Sequence, residues 1–222
     1  VKTDASATWR TTLDLEAGTT LELDVALVRG VTARGRVVNT SGEPVEGALV
    51  ISETDVPLQV LSPSVEDYRE NGAVFALTDA DGRFELGPID AGEHVLRASA
   101  EGHAPVWRTV AVDGSTDPRD EPTLALGQPA RISGRVTDDF GVDEPGALLL
   151  GCLFASDSGG AKRYFQVTFS DAEGRYSLES LPSGMFVVLL IDPTTELGLV
   201  VALAGVRRGQ TVSQSLLRAE LG

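Results

Sequence analysis

The most constraining feature of this chain is that part of it is written twice. Ala33-Arg34-Gly35-Arg36-Val37 returns as Ile132-Ser133-Gly134-Arg135-Val136, an offset of 99 (35 to 134). Thr78-Asp79-Ala80-Asp81-Gly82-Arg83-Phe84-Glu85-Leu86 returns as Ser170-Asp171-Ala172-Glu173-Gly174-Arg175-Tyr176-Ser177-Leu178, an offset of 92 (79 to 171). The order of motifs is kept, and the middle of the first copy is longer by the difference, 7 residues. Repetition at this period is the mark of a domain-sized unit used in tandem. Trp9-Arg10-Thr11 likewise resembles Trp107-Arg108-Thr109, and each is followed by alternating segments and then Gly-Arg-Val. The organisation read from this is 1–29 as closing strands of a preceding repeat or a packing extension, 30–127 as a first unit and 128–222 as a second.

The period of the hydrophobic pattern is two. Val31 to Val37, Ala130 to Val136 and Leu21-Glu22-Leu23-Asp24-Val25-Ala26-Leu27 all alternate small or apolar residues with polar ones, as strands with one face on a core do. Turn residues separate the runs: Ser41-Gly42-Glu43-Pro44, Asp81-Gly82, Asp113-Gly114, Glu173-Gly174 and Arg208-Gly209. Met185 to Ile191 is continuous and apolar, which predicts a central strand buried on both sides or one spanning a domain contact. One short segment, Ser64 to Asn71, has a capping serine after Pro63 and is the one helical candidate, with a single turn or an irregular loop as the alternative. Short strands at near-regular spacing predict an all-β chain of antiparallel β-sandwiches in tandem.

Composition narrows the classes of function. Eighteen Lys and Arg face 33 Asp and Glu, for a net charge of −15. Such a surface argues against unspecific binding to nucleic acid or to an anionic membrane, which need basic patches. The single cysteine, Cys152, cannot form an intrachain disulfide and reads as a small hydrophobe within Leu148 to Phe154. The longest apolar runs, Met185 to Ile191 and Leu199 to Ala204, are far short of the roughly 20 residues of a membrane helix. Val1 opens no basic and apolar leader pattern; a removed leader and a longer parent chain both fit that reading.

Three motifs together resemble the carboxypeptidase regulatory-like domain, a transthyretin-like Greek-key β-sandwich. They are Gly-Arg-Val followed by Gly42-Glu43-Pro44-Val45-Glu46-Gly47-Ala48, the Thr-Asp-x-Asp-Gly-x-Phe hairpin at Thr78 to Phe84, and the alternating strand Gly92 to Ala100 ending in Glu101-Gly102-His103. The second copy departs from the first motif, with Gly141-Val142-Asp143-Glu144-Pro145-Gly146-Ala147 bringing Pro beside Gly. The resemblance implies a non-catalytic structural or interaction module of a larger secreted or cell-surface bacterial protein. Its partners would be adjacent domains, neighbouring surface proteins or carbohydrate, with no cofactor. Some related sandwiches carry a Lys–Asn isopeptide bond. The only lysines here, Lys2 and Lys162, lie off the Gly-Arg-Val strands, so no such bond is expected.

Several residue groups are candidate sites. Asp79-Ala80-Asp81-Gly82 opens like a calcium loop, so Asp79 and Asp81 are weak metal candidates. The closing ligands are missing, and a hairpin turn with Asp79 bonded to backbone amides explains the motif better. Asp138-Asp139 with Asp143-Glu144 reads as surface acid on a turn. His94 and His103 have no third ligand, and the phase of Val95 predicts His94 facing outward. Trp9 and Trp107, at equivalent positions, read as packing residues at the end of each sandwich. Tyr68, Tyr164 and Phe165 are the candidate binding residues, with Tyr68 in the extended loop as the first place to look for a ligand or a sugar-stacking face. No nucleophile–base pair, phosphate loop or metal set supports an enzyme.

Overall fold

The computed structural model describes residues 17–18, 20, 22–53, 68–69, 73–114, 121–138, 140–156, 164–191 and 198–218. Trp9, Lys2, Lys162, Asp139, Leu13, Leu15, Leu21 and most of the helical candidate 64–71 lie outside the described residues.

The chain forms Greek-key β-sandwiches from fifteen described strands. In the first half these are β1 (Val31–Val38), β2 (Leu49–Ser52), β3 (Phe75–Leu77), β4 (Arg83–Ile89), β5 (Gly92–Ser99), β6 (Val106–Val112) and β7 (Thr123–Ala125). In the second they are β8 (Ala130–Asp138), β9 (Leu148–Ser156), β10 (Phe165–Phe169), β11 (Arg175–Leu181), β12 (Gly184–Ile191), β13 (Gly198–Val206), β14 (Thr211–Ser213) and β15 (Leu216–Arg218). The sheet order β4-β1-β7 has its counterpart in β11-β8-β14, with β15 also on β8, and β3-β2-β5-β6 has its counterpart in β10-β9-β12-β13. Within this antiparallel architecture β7, β14 and β15 run parallel to β1 or β8.

Each half has its own core. Val37, Val50, Leu86, Leu96 and Leu124 are fully buried in the first, and Ile132, Leu149, Leu178, Phe186 and Val188 in the second. The alternation on β1 and β8 explains the repeated Gly-Arg-Val. Its glycine lies opposite an aromatic residue of the neighbouring strand: Gly35 pairs with Phe84 and Gly134 with Tyr176. A Cβ on Gly35 would sit 2.6 Å from the Phe84 ring and from the Pro122 carbonyl oxygen, so only glycine lets the ring lie over the strand. A bulge recurs as well. One extra residue enters β4 between Leu86 and Ile89, at the cis Gly87–Pro88 bond, and one enters β11 between Leu178 and Leu181, where Ser180 has φ 55°.

Asx turns close both hairpins. Asp79 Oδ1 accepts from the amides of Asp81 and Arg83 (3.0 and 2.8 Å), and Asp171 Oδ1 from those of Glu173 and Arg175 (3.0 and 2.8 Å). Asp138 does the same for Phe140 and Val142, while Asp143 pairs with Arg135, so the acidic turn of the second half is used structurally. Thr78 and Ser170, each just before its Asx turn, carry buried hydroxyls. Thr78 donates to the Val45 carbonyl and accepts from the Ala48 amide, and Ser170 repeats the pattern with Glu144 and Ala147.

Three sequence expectations are corrected. His94 faces inward, 7% exposed, on the same side of β5 as Leu96 and Ala98, while Val95 is the outward residue. The core accepts the imidazole because Nε2–H donates to the Asp90 carbonyl (2.8 Å), leaving Nδ1 to accept from the Ser52 hydroxyl (3.0 Å). The strand expected over Leu21 to Leu27 is not formed in 22–28, which joins no sheet and leaves Leu23, Leu27 and Val28 in water. Met185 to Ile191 is indeed a central strand, β12, yet among the described residues only its inward side is fully buried. Phe186, Val188 and Leu190 are buried, whereas Met185, Val187, Leu189 and Ile191 face outward, half-buried or exposed.

Candidate functional site

The residues with the most unusual environment lie on the outer face of the β3-β2-β5-β6 sheet, where it meets the second sandwich. Register sets a row across the four strands: Phe75 opposite Ile51, Ile51 opposite Arg97, Arg97 opposite Trp107. The row points away from the core, because Val50, Ala76 and Ala98 fill the inward positions. Tyr68 and Ala73, from the long β2–β3 connection, lie over Ile51 and Phe75 and bury them in a separate small cluster. Tyr68 and Phe75 meet with ring centroids 6.4 Å apart, and the Arg69 guanidinium sits 5.9 Å from the Phe75 ring centre.

Arg97 organises the polar part. Its Nη2 donates to the Tyr68 hydroxyl (2.7 Å) and its Nε lies 3.1 Å from Glu53 Oε1. Trp107 Nε1 donates to the same carboxylate oxygen (3.3 Å). Both charged side chains are largely out of water, 14% exposed for Arg97 and 19% for Glu53. Trp107 in turn meets Tyr164 edge to face at 6.1 Å, and Tyr164 meets Phe186 of the second core in the same way at 6.2 Å. The Tyr164 hydroxyl reaches the carbonyl of Ser180, the bulge residue (3.5 Å). A continuous path of contacts thus runs from Tyr68 through Arg97, Glu53 and Trp107 to Tyr164 and the centre of the second sandwich.

Tyr68, in the extended loop and the first place to look for a ligand, has its side chain buried. It is 2% exposed and packs with Ile51 and Ala73 on the outer face of the sheet. Tyr164 is placed between two rings, which leaves it no free stacking face. Phe165 lies on the outer face of β10, opposite Cys152. The three therefore share no aromatic platform. Trp107 packs at the end of its sandwich, as its repeat position predicts. Asp79 spends one carboxylate oxygen on the turn, and among the described residues no group of three His, Cys, Asp or Glu is placed to hold a metal ion. Sequence reasoning missed Arg97 and Glu53. The available signal was the repeat itself: the offsets of 92 and 99 align them with Leu189 and Cys152, so only the first copy carries charge there.

Burial pushes the Tyr164 phenol up to about 12, with the Arg97 charge opposing the rise, and burial alone carries Tyr176 to about 12. Both phenols hold their protons longer folded than unfolded. Their contribution to stability is complete below about pH 10 and is lost as the pH climbs toward 12. Alkaline difference spectra should show two tyrosines ionising near pH 12, together with a falling melting temperature across that window. Ionisation of all tyrosines near pH 10 in the folded protein would contradict the burial.

Residues 32–125 match the sequence model of the carboxypeptidase regulatory-like domain, and that stretch is such a domain. No curated protein matches the chain. Among solved structures, GBS52, the minor pilin of Streptococcus agalactiae, is 11% identical, with 86% of this chain and 97% of that chain covered and a TM-score of 0.36. The shaft pilin SpaA of Lactobacillus rhamnosus GG is 10% identical, with 87% and 98% covered and a TM-score of 0.35. A streptococcal ancillary pilin is 16% identical, with 98% and 72% covered and a TM-score of 0.34.

Proposed function

We propose that this chain is a non-catalytic structural and interaction module of a larger exported, surface-located bacterial protein. In this reading its two sandwiches, 30–127 and 128–222, are held in a fixed relation so that they act as one stiff spacer. The observation that carries the proposal is the junction. Leu126 is buried with the first core and Ala130 with the second, leaving three residues between them. Gly127 is tied to Ala104 by a reciprocal pair of backbone hydrogen bonds (3.0 Å each), and Pro129 fixes its own φ. Beside this short connection stands the Trp107–Tyr164–Phe186 stack. A spacer has no use for a flexible joint, and both features remove one. The regulatory-like domain at 32–125 supports the non-catalytic part of the reading. Nothing favours the carbohydrate alternative, because Tyr68 is buried, Tyr164 packs against two rings, and the candidate residues form no common platform.

The test is the relative tumbling of the two halves in solution. Residual dipolar couplings should give both sandwiches one alignment tensor, and Trp107→Ala should split it into two. Two independent tensors in the unaltered chain would sink the stiff-spacer reading.

A further inference from the structure

The outer face of the β10-β9-β12-β13 sheet differs from every other outer face described. Register builds it from apolar rows: Phe165, Cys152, Val187 and Leu203 in one, with Val167, Leu150 and Leu189 in the next. Phe154, Phe169 and Leu203 are 77%, 63% and 62% exposed, and no charged or polar side chain stands among the described residues of the face. In contrast, the outer faces of β1 and β8 carry Arg34 and Arg36, and Arg131 and Arg135. In the first sandwich the equivalent row holds Arg97 and is covered by the chain's own Tyr68 and Ala73. The second sandwich lacks both the charge and that long connection, since β9 and β10 are joined by a shorter segment.

We propose that this face is the contact surface of a homodimer, in which a second copy of the chain packs sheet against sheet about a two-fold axis. Three arguments select a second copy. Two bodies that each carry −15 repel wherever acid meets acid, and a charge-free face is where like can approach like. The dimensions suffice: four strands about 4.8 Å apart, of 9, 5, 8 and 9 residues at about 3.3 Å each, span roughly 500 Å² in projection. A corrugated face of that footprint holds more accessible area, so two copies bury on the order of the 1,200 Å² at which stable interfaces begin. Finally, an apolar sheet face can pack on a copy of itself. Sheets stack face to face about 10 Å apart in sandwiches, and a two-fold axis supplies the second layer from the same sequence. The continuous apolar run Met185 to Ile191, which reads as buried on both sides, then gains its second covered side from the partner copy.

Sedimentation equilibrium of the 222-residue chain over a wide concentration range tests this, alongside Leu203→Glu, Phe154→Glu and a control, Phe140→Glu. Phe140 is a fully exposed phenylalanine on the β8–β9 turn, off the face. All three positions point into water, so circular dichroism should show unchanged folds. The expected result is a mass of twice the chain for the unaltered protein and for Phe140→Glu, with at least a tenfold weaker association for the two face variants. Cys152, half-buried within the face, should become slower to react with a maleimide as concentration rises in the unaltered protein, and not in Leu203→Glu. A monomer at every concentration overturns the proposal and leaves the face to a different protein. A dimer that Leu203→Glu and Phe154→Glu do not weaken overturns it too, by placing the contact elsewhere.

Discussion

Gly134→Ala is expected to destabilise the second sandwich by about 3 kcal/mol or more, enough to unfold it at moderate urea. The Cβ would stand 1.8 Å from the Gln214 carbonyl oxygen, 2.6 Å from its carbonyl carbon and 2.8 Å from the Tyr176 ring. None of these can step aside cheaply. The Gln214 amide is bonded to the Ser133 carbonyl (2.8 Å), the chain on either side is held by β14 and β15 pairing with β8, and the Tyr176 hydroxyl donates to that same Gln214 oxygen. Relief therefore requires moving a paired strand and breaking a buried hydrogen bond. Gly35→Ala meets the same arrangement at 2.6 Å and should cost somewhat less. Gly42→Ala is the control. Its φ of +82° strains any side chain, but nothing lies within 4 Å, so the cost stays near the roughly 1 kcal/mol of a left-handed residue. Urea midpoints at constant slope should rank the variants Gly134, Gly35, Gly42 from most to least destabilised. If Gly134→Ala melts with Gly42→Ala, the close approach of backbone to glycine is not what the repeated motif preserves.

This case shows what the linear sequence carried. Period-two alternation around Gly-Arg-Val, and the Asp-x-x-Gly hairpins at Asp79 and Asp171, are local signals. Strand pleat and turn geometry act on neighbours in sequence, so those elements were legible before any tertiary contact was known. For His94 the phase of Val95, the apolar member of the pair, points the wrong way. The inward position belongs to the imidazole only because Ser52, 42 residues away, and the Asp90 carbonyl satisfy both ring nitrogens. Tyr68 differs for a related reason: the length of its connection suggests a binding loop, whereas its own side chain is buried with Ile51 and Ala73 on the sheet face. The strand read over Leu21 to Leu27 had the right alternation without a partner strand in 22–28, and alternation alone forms no ladder. The junction was the least legible part. Arg97, Glu53, Trp107 and Tyr164 are brought together by the pairing register and by the meeting of two sandwiches, neither of which a hydrophobic period encodes.

The Glu53–Arg97 pair gives the second large effect, and its sign depends on how it is removed. Glu53→Val leaves the Arg97 guanidinium mostly out of water beside Tyr68 and takes the acceptor from Trp107, so a loss of about 3 kcal/mol is expected. Arg97→Leu strands the Glu53 carboxylate and removes the donor to Tyr68, for a similar cost. Removing both charges together has a different outcome. The second sandwich builds the equivalent positions from Cys152 and Leu189 and remains folded around them, so the apolar pair is compatible with the sheet. Glu53→Val with Arg97→Leu should therefore lose far less than the two singles combined, with a coupling of about 2–3 kcal/mol in a double-mutant cycle. Single losses that simply add in the double variant would show that the two charges do not stabilise one another. Stability is only half of the expected result. Trp107 is aimed at Tyr164 by its hydrogen bond to Glu53, so even the stable double variant should loosen the joint between the sandwiches. Recovered melting temperature with separated alignment tensors would assign the ion pair to holding orientation, whereas recovery of both would assign that task to the short connection at 127–129 alone.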